Sequence, residues 1–175
     1  PVLTFRTDAS AAELVTVGAT LLESYPAFSV ASGSVGSLTR LVKMGRYAAP
    51  LEGRSTLDLL GGPRNVATLS REPISAWPVD ARGTSVGVIH FHAPIKEEWK
   101  QAVESRGLSV LRYLPHDAFI VRGPSSAFER LSSMATVDYV GAYASAWKMR
   151  PGLPAAGVVD VRILVFPGEV PEPVA

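Results

Sequence analysis

The sequence predicts an α+β chain made of two small modules with antiparallel sheets, each running strand-helix-strand-strand-helix-strand. Two observations carry the prediction. The second half alternates short β-branched runs with helical stretches, and landmarks of that half recur at matching spacing in the first. At 175 residues, 47% hydrophobic and 19% charged, the chain has the composition of globular proteins and the length to bury a core without disulfide or metal.

The second half reads most clearly. Val86 to Phe91, after Gly83, is an apolar β-branched run and therefore a strand. Pro94-Ile95-Lys96-Glu97-Glu98 opens a helix, with Pro in the first turn and acids at the positive end of the dipole. Ile95, Trp99, Ala102 and Val103 share one face of it, and Gly107 stops it. Leu108 to Leu114 and Ala118 to Arg122 are strands joined by Pro115-His116-Asp117, whose turn chemistry makes a hairpin. Pro124 to Met134 is a short helix with Phe128 and Leu131 inward, and Val137 to Val140 is the closing strand. That order is the ferredoxin-like split motif.

The first half repeats it. Gly18 through Tyr25-Pro26-Ala27-Phe28 to Val30 parallels Gly107 through Tyr113-Leu114-Pro115 and Ala118-Phe119 to Val121. Gly33, Leu41 and Met44 match Gly123, Leu131 and Met134. Phe5 parallels Phe91, Ala11 to Val17 is a shortened first helix, Ser34 is the N-cap of the second, and Ser55 to Leu60 is the fourth strand. The expected organisation is thus a first module over 1–62, a linker over 63–83, a second module over 84–143, and a tail over 144–175. That tail holds an exit segment, an extra strand at 158–166 and a Pro-rich end.

Composition excludes several functions. The net charge is +1 with both signs interspersed, so neither nucleic acid nor an anionic membrane is an expected partner. No apolar run approaches the ~20 residues of a membrane span. Pro1-Val2-Leu3-Thr4-Phe5-Arg6 has no basic or long apolar region, so no signal peptide is expected in this chain. Cysteine is absent, which removes thiolate chemistry and Cys-ligated zinc. His90 and His92, two apart on a strand, read as a metal pair or as residues of a solvated sheet face. The second reading is preferred because no third ligand stands at suitable spacing, and a pH-sensitive interface lies between the two. His116 beside Asp117 reads as turn chemistry rather than an acid-base pair, and Trp99 as core. No nucleophile, base and orienter can be assembled, so neither catalysis, cofactor nor metal is expected.

Val86 to Trp99, Gly107 to Arg122 with its Tyr113-Leu114-Pro115 corner, and Val137-Asp138-Tyr139-Val140-Gly141-Ala142-Tyr143 resemble the pro-region of long-prodomain subtilisin-like serine proteases. The resemblance covers residues 84 to 166 and, more loosely, the first module. It implies a non-catalytic inhibitor and folding chaperone of a subtilisin-like catalytic domain, in cis or in trans, working outside the cytoplasm. The open face of the second sheet would dock on the protease through Val86, Val88, His90 and His92. The exit segment Tyr143, Ala144, Ser145, Ala146, Trp147 and Lys148 would run toward the cleft. No catalytic boxes of such a protease follow in this chain, which makes it a fragment, a pro-region or a stand-alone inhibitor. The alternative is a regulatory module of paired ferredoxin-like domains that senses a small molecule.

Overall fold

The computed structural model describes residues 2–152, 154, 156–158 and 160–166. It is a mixed α+β chain that divides into two compact units between Arg54 and Ser55. In the first unit the elements are β1 (Val2–Thr7), α1 (Ala11–Thr16), β2 (Thr20–Ser24), β3 (Ser29–Ser34), α2 (Val35–Lys43) and β4 (Ala48–Pro50). The second opens with a two-stranded ribbon, β5 (Thr56–Leu57) against β6 (Arg64–Asn65). Two 3₁₀ turns follow, then β7 (Ser85–Phe91), α3 (Glu97–Ser105), β8 (Ser109–Leu114), β9 (Ala118–Gly123), α4 (Ser125–Ser132) and β10 (Val137–Ala142).

Each unit holds one four-stranded antiparallel sheet, ordered β2-β3-β1-β4 in the first and β10-β7-β9-β8 in the second. Counted within each four-stranded sheet, these are one and the same order. The hairpin register shift between Leu21 and Glu23 recurs between Val110 and Arg112. Gly18 and Gly107, both at positive φ, let the chain turn out of the first helix of each unit into the next strand. An arginine of the second helix then satisfies a carbonyl left open at that helix end. Arg40 Nη2 donates to Val17 O at 2.6 Å, and Arg130 Nη2 to Arg106 O at 2.9 Å.

The register corrects two expected equivalences. Gly33 faces Leu3 and Gly123 faces Ser85, so Phe5, opposite Ala31, occupies the place of Gly87, opposite Val121, and not that of Phe91. Size is conserved by compensation. A Cβ on Gly87 would meet Phe128 and Trp77 at 2.7 and 2.9 Å, whereas Phe5 fills its own core over the smaller Leu38. Likewise Tyr25 and Phe28 stack across the first hairpin tip at 4.7 Å, while Leu114 and Ala118 pair across the second. The aromatic corners are therefore one residue out of step.

Three further expectations change. The fourth strand of the first unit is Ala48–Pro50, whose residues pair with Thr7 to Phe5; Ser55 to Leu60 lies in the second unit instead. The acid-rich helix starts at Glu97, because Lys96 at its N-cap is still extended. No strand forms among the described residues of 158–166, since no sheet edge meets this run. The expectation for the Pro-rich end at 167–175 lies outside the described residues. Ser34 does cap α2, accepting from Ser37 N at 3.0 Å. Phe128 and Leu131 are fully buried, and no described helix is long and apolar enough to cross a membrane.

Candidate binding face of the second sheet

Strand alternation gives β7 two faces. Gly87 and Phe91 point to the helices: Phe91 stacks on Trp99 at 5.6 Å and meets Phe119 edge-on, while Trp77 meets Phe128 edge-on at 4.8 Å. Trp99 is thus core, as its helical stripe predicts. Val88 and His90 point the other way, where Leu114, Ala118, Ile120 and Tyr139 join them in presenting an almost wholly apolar surface. A surface of that kind cannot stay bare in water.

It does not stay bare. Leu57 and Leu59 pack on Val88, Leu114, Ala118, Ile120 and Tyr139, and Val66, Leu69, Val86, Leu111, Tyr143, Trp147 and Phe166 close the rim. The face expected to be open for docking is therefore covered by the chain itself, largely by residues read as a fourth strand and a linker. Val88 is 0% and His90 1% exposed; Val86 and His92 are half-buried. This strap, residues 55 to 69, is the feature that sequence reasoning missed. Its signal was present in the apolar Leu57, Leu59, Val66 and Leu69, which the short ribbon and a 3₁₀ turn place on one side.

The two histidines do not share a face. His90 sits under the strap with Nδ1 3.3 Å from Asp138 Oδ2, at the point where the β7–β10 register shifts. His92 lies beyond the strand, so alternation no longer governs it. Its ring packs edge-on against Trp99 at 5.6 Å, and Nδ1 lies 3.1 Å from Ala135 O. His116 and Asp117, at φ 63° and 64°, form the tip of the β8–β9 hairpin, and the Asp117 carbonyl accepts from Phe91 N at 2.9 Å. That is the turn role the sequence predicts.

The exit segment folds back over the same covered face. Tyr143 N donates to Val86 O at 2.9 Å, Ser145 to Lys148 form a 3₁₀ turn, and Gly61 N in the strap donates to Trp147 O at 3.2 Å. Tyr143 lies between Trp147, Phe166 and the Lys148 ammonium, and burial pushes its hydroxyl above the usual tyrosine range. Tyr143, Ala144 and Trp147 are half-buried, which leaves Ser145, Ala146 and Lys148 exposed.

Two cavities of about 210 Å³ each open beside the sheet, one under the strap and one against residues 71–74, sharing Arg71 and Asp138. One reaches His90 and Ser55, the other Tyr139 and Ser132. Arg71 Nη2 donates to the Asp138 carbonyl at 2.6 Å, and burial raises the Tyr139 hydroxyl as it raises Tyr143. This arrangement holds polar groups beside an apolar layer, which suits binding; no activated nucleophile stands among the described residues that line it.

No curated protein and no solved structure matches this chain significantly. One family model does, over residues 50–144, which take in the strap, the whole second sheet and both of its helices. The chain accordingly belongs to the family described as a domain of unknown function, DUF8729.

Proposed function

We propose that this chain is a non-catalytic binding protein of two tandem ferredoxin-like modules, acting as a propeptide-like inhibitor and folding chaperone of a subtilisin-like serine protease. One observation carries the reading. The residues of the resemblance lie together in the second unit: Val86 to Phe91 on β7, Trp99 on α3, Tyr113 to Pro115 at the hairpin, Val137 to Ala142 on β10. The strap changes how such a partner is met. Docking through Val86, Val88 and His90 would require the strap to leave, at the cost of re-exposing Leu57 and Leu59, and His92 lies off that face. Contact is therefore assigned to the exit segment, through exposed Ser145, Ala146 and Lys148, and to the outer surface of the strap. Such a protease works outside the cytoplasm, and so would this chain, whether joined to it or separate.

The test is inhibition of a panel of subtilisin-type proteases, scored by peptide hydrolysis and by recovery of activity from denatured enzyme. The parent chain should slow hydrolysis and raise recovery, and Ala146→Asp should weaken inhibition at least tenfold, about 1.4 kcal/mol, without changing the fold. A parent chain that inhibits none of the proteases, or an Ala146→Asp variant as strong as the parent, refutes the reading. The cavity under the strap favours a second reading, a sensor of a small polar molecule, because Arg71, His90 and Asp138 converge on it. A metabolite that raises the melting temperature of the parent but not of Arg71→Ala would support it over the first.

A further inference from the structure

The run from Val158 to Phe166 has the chemistry of a strand, and none of its described residues pairs with a strand. Val158, Val161, Ile163, Leu164 and Val165 are 103, 58, 70, 71 and 48% exposed. Every second residue from Val159 to Val165 is β-branched and apolar, while Asp160 and Arg162 occupy the alternate positions. Among the described residues its backbone makes no hydrogen bond to the rest of the chain. Phe166 is anchored, half-buried against Tyr143 with ring centres 6.4 Å apart. A tethered, exposed, strand-forming run of this kind is a donor for strand addition.

The second sheet offers it an acceptor. Of the two edge strands, β10 is blunted: Arg71 occupies the Asp138 carbonyl, and Glu72, Pro73 and Ile74 line the same cavity as Val137 to Val140. Among the described residues β8 pairs only with β9, and its Ser109, Arg112 and Tyr113 are exposed. Antiparallel pairing that sets Asp160 beside Arg112 brings opposite charges together. The same pairing lays Val161 and Ile163 along the side of β8 that carries Tyr113, itself 54% exposed. At about 3.3 Å per residue the run is long enough to span the six residues of β8.

We propose that residues 158–166 add as a strand to the outer edge of β8 in a second copy of this chain, and that two copies make the exchange reciprocally. Donor and acceptor belong to the same chain, so two exchanges close on a two-fold axis and leave neither run exposed.

The experiment is sedimentation equilibrium or light scattering of the whole chain up to about 100 μM, tight enough to reveal a micromolar dimer. The expected mass is that of two 18.6 kDa chains. Val161→Pro removes a ladder donor in an exposed segment and should return the mass of one chain with unchanged tryptophan fluorescence. Arg112→Asp should weaken association about tenfold, and Asp160→Arg in the same chain should restore it. A one-chain mass at the highest concentration, an open series of larger species, or a dimer indifferent to Val161→Pro would each overturn the proposal.

Discussion

Truncating Val88 tests whether the strap belongs to the fold of the second unit. Val88 is fully buried between Leu57 and Leu59 of the strap and Ala118, Ile120 and Tyr139 of the sheet. Val88→Ala removes two methyl groups from that layer. At ~0.8 kcal/mol per buried carbon, plus a cavity term where the site cannot collapse, the loss is about 2 kcal/mol. Val88→Asp loses the same contacts and also places a carboxylate in an apolar layer, which brings the cost to roughly 4–5 kcal/mol, against a stability of about 5–15 kcal/mol for an ordinary domain. Urea denaturation followed by tryptophan fluorescence suits the measurement, because Trp77, Trp99 and Trp147 all lie in the second unit. Leu57→Ala should cost about 3 kcal/mol, and the double variant with Val88→Ala should show a coupling of at least ~0.5 kcal/mol, since the two side chains share one cluster. An open docking face predicts otherwise: Val88→Asp would be nearly silent and Leu57 independent of Val88. A Val88→Ala cost below ~0.5 kcal/mol with an unchanged urea slope would refute the covered face.

Three other perturbations follow from local geometry. His116→Gly should stabilise the second unit by about 0.5–1 kcal/mol in the same urea assay, because His116 holds φ 63°, a left-handed conformation that glycine adopts without strain. Gly61→Ala should loosen the exit segment, since its new methyl would collide with the Ala146 carbonyl and touch Trp147 Cα at 3.2 Å; a red-shifted Trp147 emission, read in a Trp77→Phe, Trp99→Phe background, reports the loss. In the first unit, hydrogen bonds from the Ser10 backbone and hydroxyl, then Arg46, hold the Glu13 carboxyl at about 2, below its ordinary 4.5. A lowered folded-state value stabilises above the unfolded value and loses that stabilisation as pH falls, so thermal melts should show the parent losing its advantage over Glu13→Gln between about pH 4.5 and 2.

Much of the second unit was legible because its punctuation is local. Gly107 can only end a helix at positive φ, Pro115-His116-Asp117 can only turn, and Trp99 with Val103 marks one buried helical stripe. The repeat was legible where a close approach or a fully buried helix position demands a residue type, as at Gly33 and Gly123 or Leu41 and Leu131. It failed where size was traded between elements, as in Phe5 for Gly87 with Leu38 for Phe128, because compensation across a core leaves no signal along the chain. The strap failed for a related reason. Leu57 and Leu59 alternate as a strand should, and nothing local says which sheet that alternation serves; only the unsatisfied apolar face of β7 and β9 decides it. His90 and His92 look like one face by period two, yet the strand ends at Phe91 and the period ends with it.

The two units share what the backbone requires and differ in what covers their sheets. Both keep the strand order, the register shift in the first hairpin, and the arginine that satisfies a carbonyl at the first helix end. The second carries the strap on its far face, and the match to the family begins at residue 50, ahead of the strap, rather than at β7. A family boundary drawn at β7 would leave Val88, Ala118 and Ile120 bare, which no isolated domain tolerates. The strap and the sheet therefore form one folding unit. The surface over that face of the second sheet is then made by residues 55–69 and the exit segment, and Val88 lies beneath it. On that composite surface Arg71, Asp138 and the exposed Ser145 and Lys148 supply the polar groups that the apolar layer beneath them cannot.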